Sequence, residues 1–266
     1  MMRPSVLLLM SLGLLALGDT PATAGSIVVS NDEWVLSDIG FAESSDTPTF
    51  ARNVASFFTG GGSGNFLAYS SDFGMTGSSL ASTMTSAGHN WTLSTSVAFD
   101  LPTLLGYDAL FLSGPVGGAL DNSVLIDYVE NGGNVYLAAG TNDFNDGSGG
   151  PWFPGQEAAA WNTFLNHFGL HYDGSDFNNV IGHTVIDSDH AIFAGVQMLY
   201  QNRGNSVSDL DWFSSDQAVL VFSGAQGLFG VYQSPAVHAP EPATLLLLGS
   251  GLIGLLSYHR RRRKKA

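Results

Sequence analysis

The chain has 266 residues, 44% hydrophobic and only 12% charged, and it contains no cysteine, which excludes disulfide bonds and thiolate catalysis. Six of its nine basic residues fall in the last seven positions. Between residues 25 and 239 only Arg52 and Arg203 are basic, against 21 acidic residues, a net charge near −19 with no lysine. Such a surface repels phosphate backbones and argues against nucleic-acid binding; it suits divalent cations, basic partners or simple solubility.

The first 24 residues have one early arginine, an apolar stretch over 6–17 and a small-residue site at Ala22-Thr23-Ala24. This is the layout of a secretory signal peptide cleaved after Ala24, and twelve apolar residues are too few to span a bilayer.

Residues 25–232 alternate short apolar runs with helical patterns. "SIVVS" reads as a strand, and "FARNVASFF" sets Phe50, Val54, Phe57 and Phe58 on one face of a helix. "FLAYS" is a buried-type strand, and "GSSLASTMTSAG" a small-residue helix ended by Gly88. After "WTLST" come the strand "YDALFLSG", the helix "LDNSVLIDYVENGG", the strand "NVYLAAG" and the helix "QEAAAWNTFLNHFG", with Ala158, Trp161, Leu165 and Phe168 at helical spacing. "NVIGHTVI", "QAVLVFS" and "LFGVYQ" are three further strands, and no 20–50-residue repeat is present. Continuously apolar strands separated by helices predict a flavodoxin-like α/β three-layer sandwich with a mostly parallel sheet and antiparallel or edge strands toward the C-terminus. The stretch over residues 26–60 looks like a terminal element of such a domain moved to the front, adding to one sheet edge.

The run from "YDALFLSGP" to "YVENGGNVYLAAG", with "DSDHAIFAGV" further on, resembles the class I glutamine amidotransferase-like superfamily over about residues 66–222. The resemblance implies a nucleophile on the turn after "NVYLAAG", here Gly140-Thr141-Asn142-Asp143. The cysteine of the hydrolytic members is absent. Thr141 with His183 as base is the hydroxyl alternative, but a turn threonine more often binds backbone, so no catalytic residue is assigned and the domain is expected to be non-enzymatic.

The loop "TNDFNDGSGGPWFPGQ" is the most distinctive stretch, and Thr141, Asn142, Asp143, Asn145, Asp146 and Trp152 form a possible binding loop. The Asp and Asn oxygens beside glycines suit Ca²⁺, although the spacing departs from an EF-hand loop; an ordinary Asx- and Gly-rich loop is the alternative. Trp152 and Phe153 offer a sugar-stacking platform or, the preferred reading, a plug at the top of the sheet. His167, His171, His183 and His190 do not form a metal-ligand set, and "GGGSG" lacks the Lys-Ser/Thr ending of a phosphate loop.

A linker at 233–239 leads to Pro240-Glu241-Pro242, a 16-residue uncharged run over 243–258 and a basic block. As a helix the run covers about 24 Å, short of the roughly 20 residues of a full span, and the basic block would stay cytoplasmic. Pro-Glu-Pro followed by a Leu-rich run and an arginine block resembles the PEP-CTERM sorting signal of Gram-negative bacteria over 240–266. The resemblance implies an exosortase as processing partner, passage through the inner membrane, and a cell-surface or extracellular protein acting with exopolysaccharide in a biofilm or floc. An extracytoplasmic hydrolase and a Ca²⁺-dependent carbohydrate-binding module are the alternatives.

Overall fold

A computed structural model describes residues 25–114, 121–140, 154–174 and 177–234. They form a mixed α/β domain around a seven-stranded sheet. Strand β1 (Ser26–Ser30) is followed by a 3₁₀ turn (Glu33–Leu36), α1 (Asp38–Glu43) and α2 (Thr47–Thr59); then come β2 (Asn65–Ala68), α3 (Phe73–Thr76), α4 (Ser78–Ser86) and β3 (Asn90–Leu93). Next are α5 (Leu101–Leu104), β4 (Ala109–Ser113), α6 (Asn122–Glu130), β5 (Asn134–Ala138) and α7 (Pro154–His167). The C-terminal part is β6 (Leu170–Tyr172), β7 (Ile181–Val185), a second 3₁₀ turn (Ala191–Phe193), β8 (Met198–Asn202), β9 (Val207–Asp209), β10 (Gln217–Ser223) and β11 (Gln226–Gln233).

The sheet order is β10-β11-β1-β5-β4-β2-β3. The five strands from β1 to β3 are mutually parallel, while β11 runs antiparallel to β1 and to β10. Taken from β3, the parallel strands follow the doubly wound order 2-1-3-4-5, with the fifth place taken by the N-terminal strand. The stretch expected as an edge addition thus places its strand inside the sheet, between β5 and β11. β6 pairs with β9 and β7 with β8 in two small antiparallel ribbons outside the main sheet.

Both faces of the parallel strands are apolar because both are covered. On one face Val28, Phe66, Phe111 and Tyr136 meet α2 and α4 through Phe50, Val54, Leu80 and Met84. On the other, Val29, Leu67, Leu110 and Leu137 meet α6 and α7 through Leu125, Val129, Trp161 and Leu165. Phe50 is fully buried at the centre of the first layer, stacked 5.4 Å from Phe193 and edge-on to Phe229 and Tyr136. The α2 helix ends where Gly60 takes a left-handed conformation with φ 62°, which only glycine adopts without strain.

The lower end of the sheet is fastened by Asn134. Its side chain accepts from Ser26 N at 2.9 Å and donates to Asp108 O at 2.8 Å, tying the starts of β1, β4 and β5 together. Beside it Gly25 passes so close to Gly133 that a Cβ on Gly25 would lie 1.7 Å from the Gly133 carbonyl oxygen. Phe50→Ala removes the ring on which one helical layer, the sheet and the second 3₁₀ turn converge; we expect a loss of about 3–5 kcal/mol, measurable by urea unfolding.

Candidate functional site

In a parallel sheet, ligand-binding groups gather beyond the carboxyl ends of the strands, at the point where successive connections turn to opposite sides. Here that point lies between β2 and β4, and the segments leaving β1, β2, β4 and β5 carry a concentration of polar residues: Asn31-Asp32-Glu33, Ser70 to Asp72, Ser113-Gly114 and Gly140. Glu157 joins them from the first turn of α7. Asn31, Asp32, Glu33, Asp72 and Glu157 are all buried.

Local hydrogen bonds fix each group. After β2, Ser70 Oγ donates to Ser113 O at 2.7 Å and accepts from Asp72 N at 2.9 Å. Asp72 Oδ1 accepts from Gly74 N at 2.7 Å, capping α3, and from Ser113 Oγ at 3.4 Å. Gly114 sits against this carboxyl, where a Cβ would lie 2.6 Å from Asp72 Cβ. After β1, Asp32 Oδ1 caps the first 3₁₀ turn by accepting from Trp34 N at 2.9 Å, and Oδ2 accepts a short bond from Asn202 N. The Gly140 N–H and the Glu33 carboxyl face Glu157. Tyr172 donates from below to Ser30 O at 2.7 Å and Leu137 O at 3.2 Å, closing the floor. The side-chain amides of Asn31 and Gln201 are fully buried with no hydrogen-bond partner among the described residues.

Burial dominates the electrostatics. It pushes the Asp32 carboxyl up to about 8, against the pull of the Asn202 and Trp34 N–H groups. Burial also holds Glu157 well above the usual carboxylate range; the nearby Asp72 and Asp32 add to the effect, and the Gly140 N–H and Glu33 oppose it. Burial thus favours the protonated, neutral form of both acids more than in an ordinary carboxyl, which lowers the cost of gathering carboxyl groups in one buried corner. Among the described residues no group of three or more His, Cys, Asp or Glu has metal-holding geometry.

The residues singled out in the sequence fare differently. Thr141, Asn142, Asp143, Asn145, Asp146 and Trp152 lie outside the described residues, as do Pro240, Glu241 and Pro242. The first six fall between Gly140, whose N–H faces Glu157, and Pro154, which begins the helix that carries Glu157. A Cβ on Gly140 would lie 2.3 Å from Gly204 Cα and 2.7 Å from Asn31 O, so the first position of that turn admits no side chain. The histidines are dispersed. His183 Nε2 lies 2.7 Å from Glu43 O, His167 pairs with Glu130 at 2.9 Å, His171 with Asn166 at 2.8 Å, and His190 caps the second 3₁₀ turn.

The carboxyl cluster was not anticipated. One signal pointed to it: Glu157 falls four and seven residues before Trp161 and Phe164, on the buried face of its helix. A second was "SIVVSNDE", an apolar strand running directly into three polar residues.

Comparison with protein families matches residues 238–263 to the PEP-CTERM protein-sorting motif. No curated protein and no solved structure matches the chain. The motif marks an exported protein directed to an exosortase. Among the described residues no helix is long and apolar enough to cross a membrane, and the apolar run at 243–258 lies outside them.

Because Asp32 and Glu157 bind protons more tightly folded than unfolded, their contribution to stability is greatest at low pH. It declines as pH rises from the unfolded carboxylate value near 4 toward about 8. Thermal unfolding should show a Tm several degrees lower at pH 8.5 than at pH 5. Glu157→Gln, which is neutral at both, should shrink that drop by about 2–4 °C or more for each 1 kcal/mol of burial cost removed. An unchanged drop would assign the pH dependence to other groups.

Proposed function

We propose that this is a cell-surface or extracellular-matrix protein whose α/β domain acts by binding, with exopolysaccharide as its partner in a biofilm or floc. The sorting motif over residues 238–263 carries this reading. On it, residues 1–24 start export through the inner membrane. The run at 243–258 then enters the bilayer as a transient span, and the basic block over 260–265 holds it in a type I orientation. Pro240 and Pro242 keep the triplet extended and accessible to the exosortase.

Binding without catalysis is supported by what the chain brings to chemistry. It has no cysteine for the turn after β5, and the described histidines are engaged with other groups than a common nucleophile. A hydrolase is the second reading, favoured by one observation: Asp32 and Glu157 are buried together at the strand ends with raised pKa, where one protonated and one ionised carboxyl would make an acid–base pair.

Intact-mass analysis of the protein recovered from producing cells should find a C-terminus near the Pro-Glu-Pro triplet, with residues 260–266 gone. The Pro240→Ala, Glu241→Ala double variant should retain them. Recovery of the complete tail on the natural protein would overturn the processing step. The released domain should co-sediment with exopolysaccharide from the same cells and show no turnover on ester, amide and glycoside panels. Turnover abolished by Glu157→Gln would favour the hydrolase instead.

A further inference from the structure

The loop joining β9 to β10 turns its apolar side chains out into solvent. Trp212 is 83% exposed, Phe213 92% and Leu210 53%, and the two rings lie edge to face with centroids 6.0 Å apart. This is a held conformation. Leu210 N donates to Gly169 O at 2.8 Å, Asp209 Oδ1 accepts from Asp211 N at 2.8 Å, and Asp211 Oδ1 accepts from Phe213 N at 3.3 Å. Gln217 Nε2 donates to Asp211 O at 2.8 Å and to Asp209 Oδ1 at 3.1 Å. Two of the loop's carboxylates thus accept from its own backbone, and the tip it presents is aromatic.

The loop is also stitched to the place where the chain leaves the domain. Gln233 N, at the end of β11, donates to Asp216 O at 2.7 Å. From Ser234 to Ala243, where the apolar run begins, the chain takes nine residue steps, a reach of at most about 30 Å. Whenever the run is in a bilayer, this tether keeps the end of β11, and the loop bonded to it, within that reach of the lipid surface. Tryptophan and phenylalanine on a fixed turn are suited to the headgroup boundary, where an apolar ring is buried without ordering a long side chain.

We propose that the loop over residues 210–216 is an interfacial tip that seats the domain on a lipid surface beside its own sorting segment. This rests on the reading above that residues 243–258 enter the bilayer. A 16-residue run is a marginal anchor by itself, and a second, weaker contact a short tether away multiplies retention through effective concentration. Other occupants fit less well. Strand addition at β10, the outer strand of the sheet, meets register breaks between Val219 and Val221 and between Val221 and Phe222, which spoil the edge as a template. An anionic polymer meets a domain with two arginines and no lysine. The same charge makes the preferred surface zwitterionic.

The absence of cysteine makes the test direct. In the full chain, Ser215→Cys places an environment-sensitive fluorophore on the exposed tip, and Ser86→Cys places it at the end of α4, which packs beside the opposite outer strand β3. Both proteins are reconstituted with phosphatidylcholine vesicles and followed by flotation and emission. The label at 215 should gain intensity several-fold and shift to the blue, the label at 86 should not, and the gain should shrink as phosphatidylglycerol is added. Trp212→Ala with Phe213→Ala should abolish the gain at 215 while the chain still floats. A chain that floats with both labels reporting water overturns the docking alone. A chain that does not float overturns the reading of the sorting segment, and this proposal with it. A gain at 215 that needs no lipid and rises with protein concentration assigns the tip to a second copy of the chain and overturns the lipid assignment.

Discussion

The structure depends on the pairing of β1 with two strands that lie far from it in sequence. Parallel to β5 and antiparallel to β11, this five-residue strand joins the parallel part of the sheet to the C-terminal hairpin. It can do so because it is apolar on both faces, with Ile27 and Val29 in one helical layer's core and Val28 in the other's. Its polar continuation, Asn31-Asp32-Glu33, is thereby carried to the carboxyl ends of β4 and β5. The carboxyl cluster is a by-product of where β1 must sit.

That placement explains the unusual chemistry of the cluster. A lone carboxylate in this position would face a severe desolvation cost, and with two arginines between residues 25 and 239 the domain has almost no cation to offset it. Backbone N–H groups from Trp34, Asn202, Gly74 and Gly140 supply partial positive charge instead, and burial raises the pKa of Asp32 and Glu157 so that their neutral forms are favoured. Charge in this domain is managed by the main chain and by protons.

Helices and strands of the domain were legible wherever local periodicity carries the information. The α2 face built by Phe50, Val54 and Phe58, and the continuously apolar β4 and β5, stand in the structure as their patterns imply. The mostly parallel sheet followed from the same runs. The three-residue strands "LHY" and "VSD" were not legible, since they are too short to alternate and exist only through each other. Nor was the cluster: Asp32 and Asp72 look like ordinary capping acids, and Glu157 like an ordinary first-turn acid. Only the long-range pairing of β1 shows that they share one buried corner. The tail was the reverse case, because its meaning lies in the order of a few residue types along the chain.

The Ser26–Gln233 pairing has a consequence for how the domain comes to exist outside the membrane. A chain threaded across a bilayer from its N-terminus delivers β1 first and β11 last. Until β5 emerges β1 has neither neighbour, and its apolar faces wait for strands more than 100 residues behind it. The sheet cannot close until almost the whole domain has emerged, so the chain remains open enough to be threaded. On the reading of residues 243–258 as a transient span, the closing strand arrives just ahead of the segment that enters the lipid, which would bring the completion of folding close to arrival at the membrane.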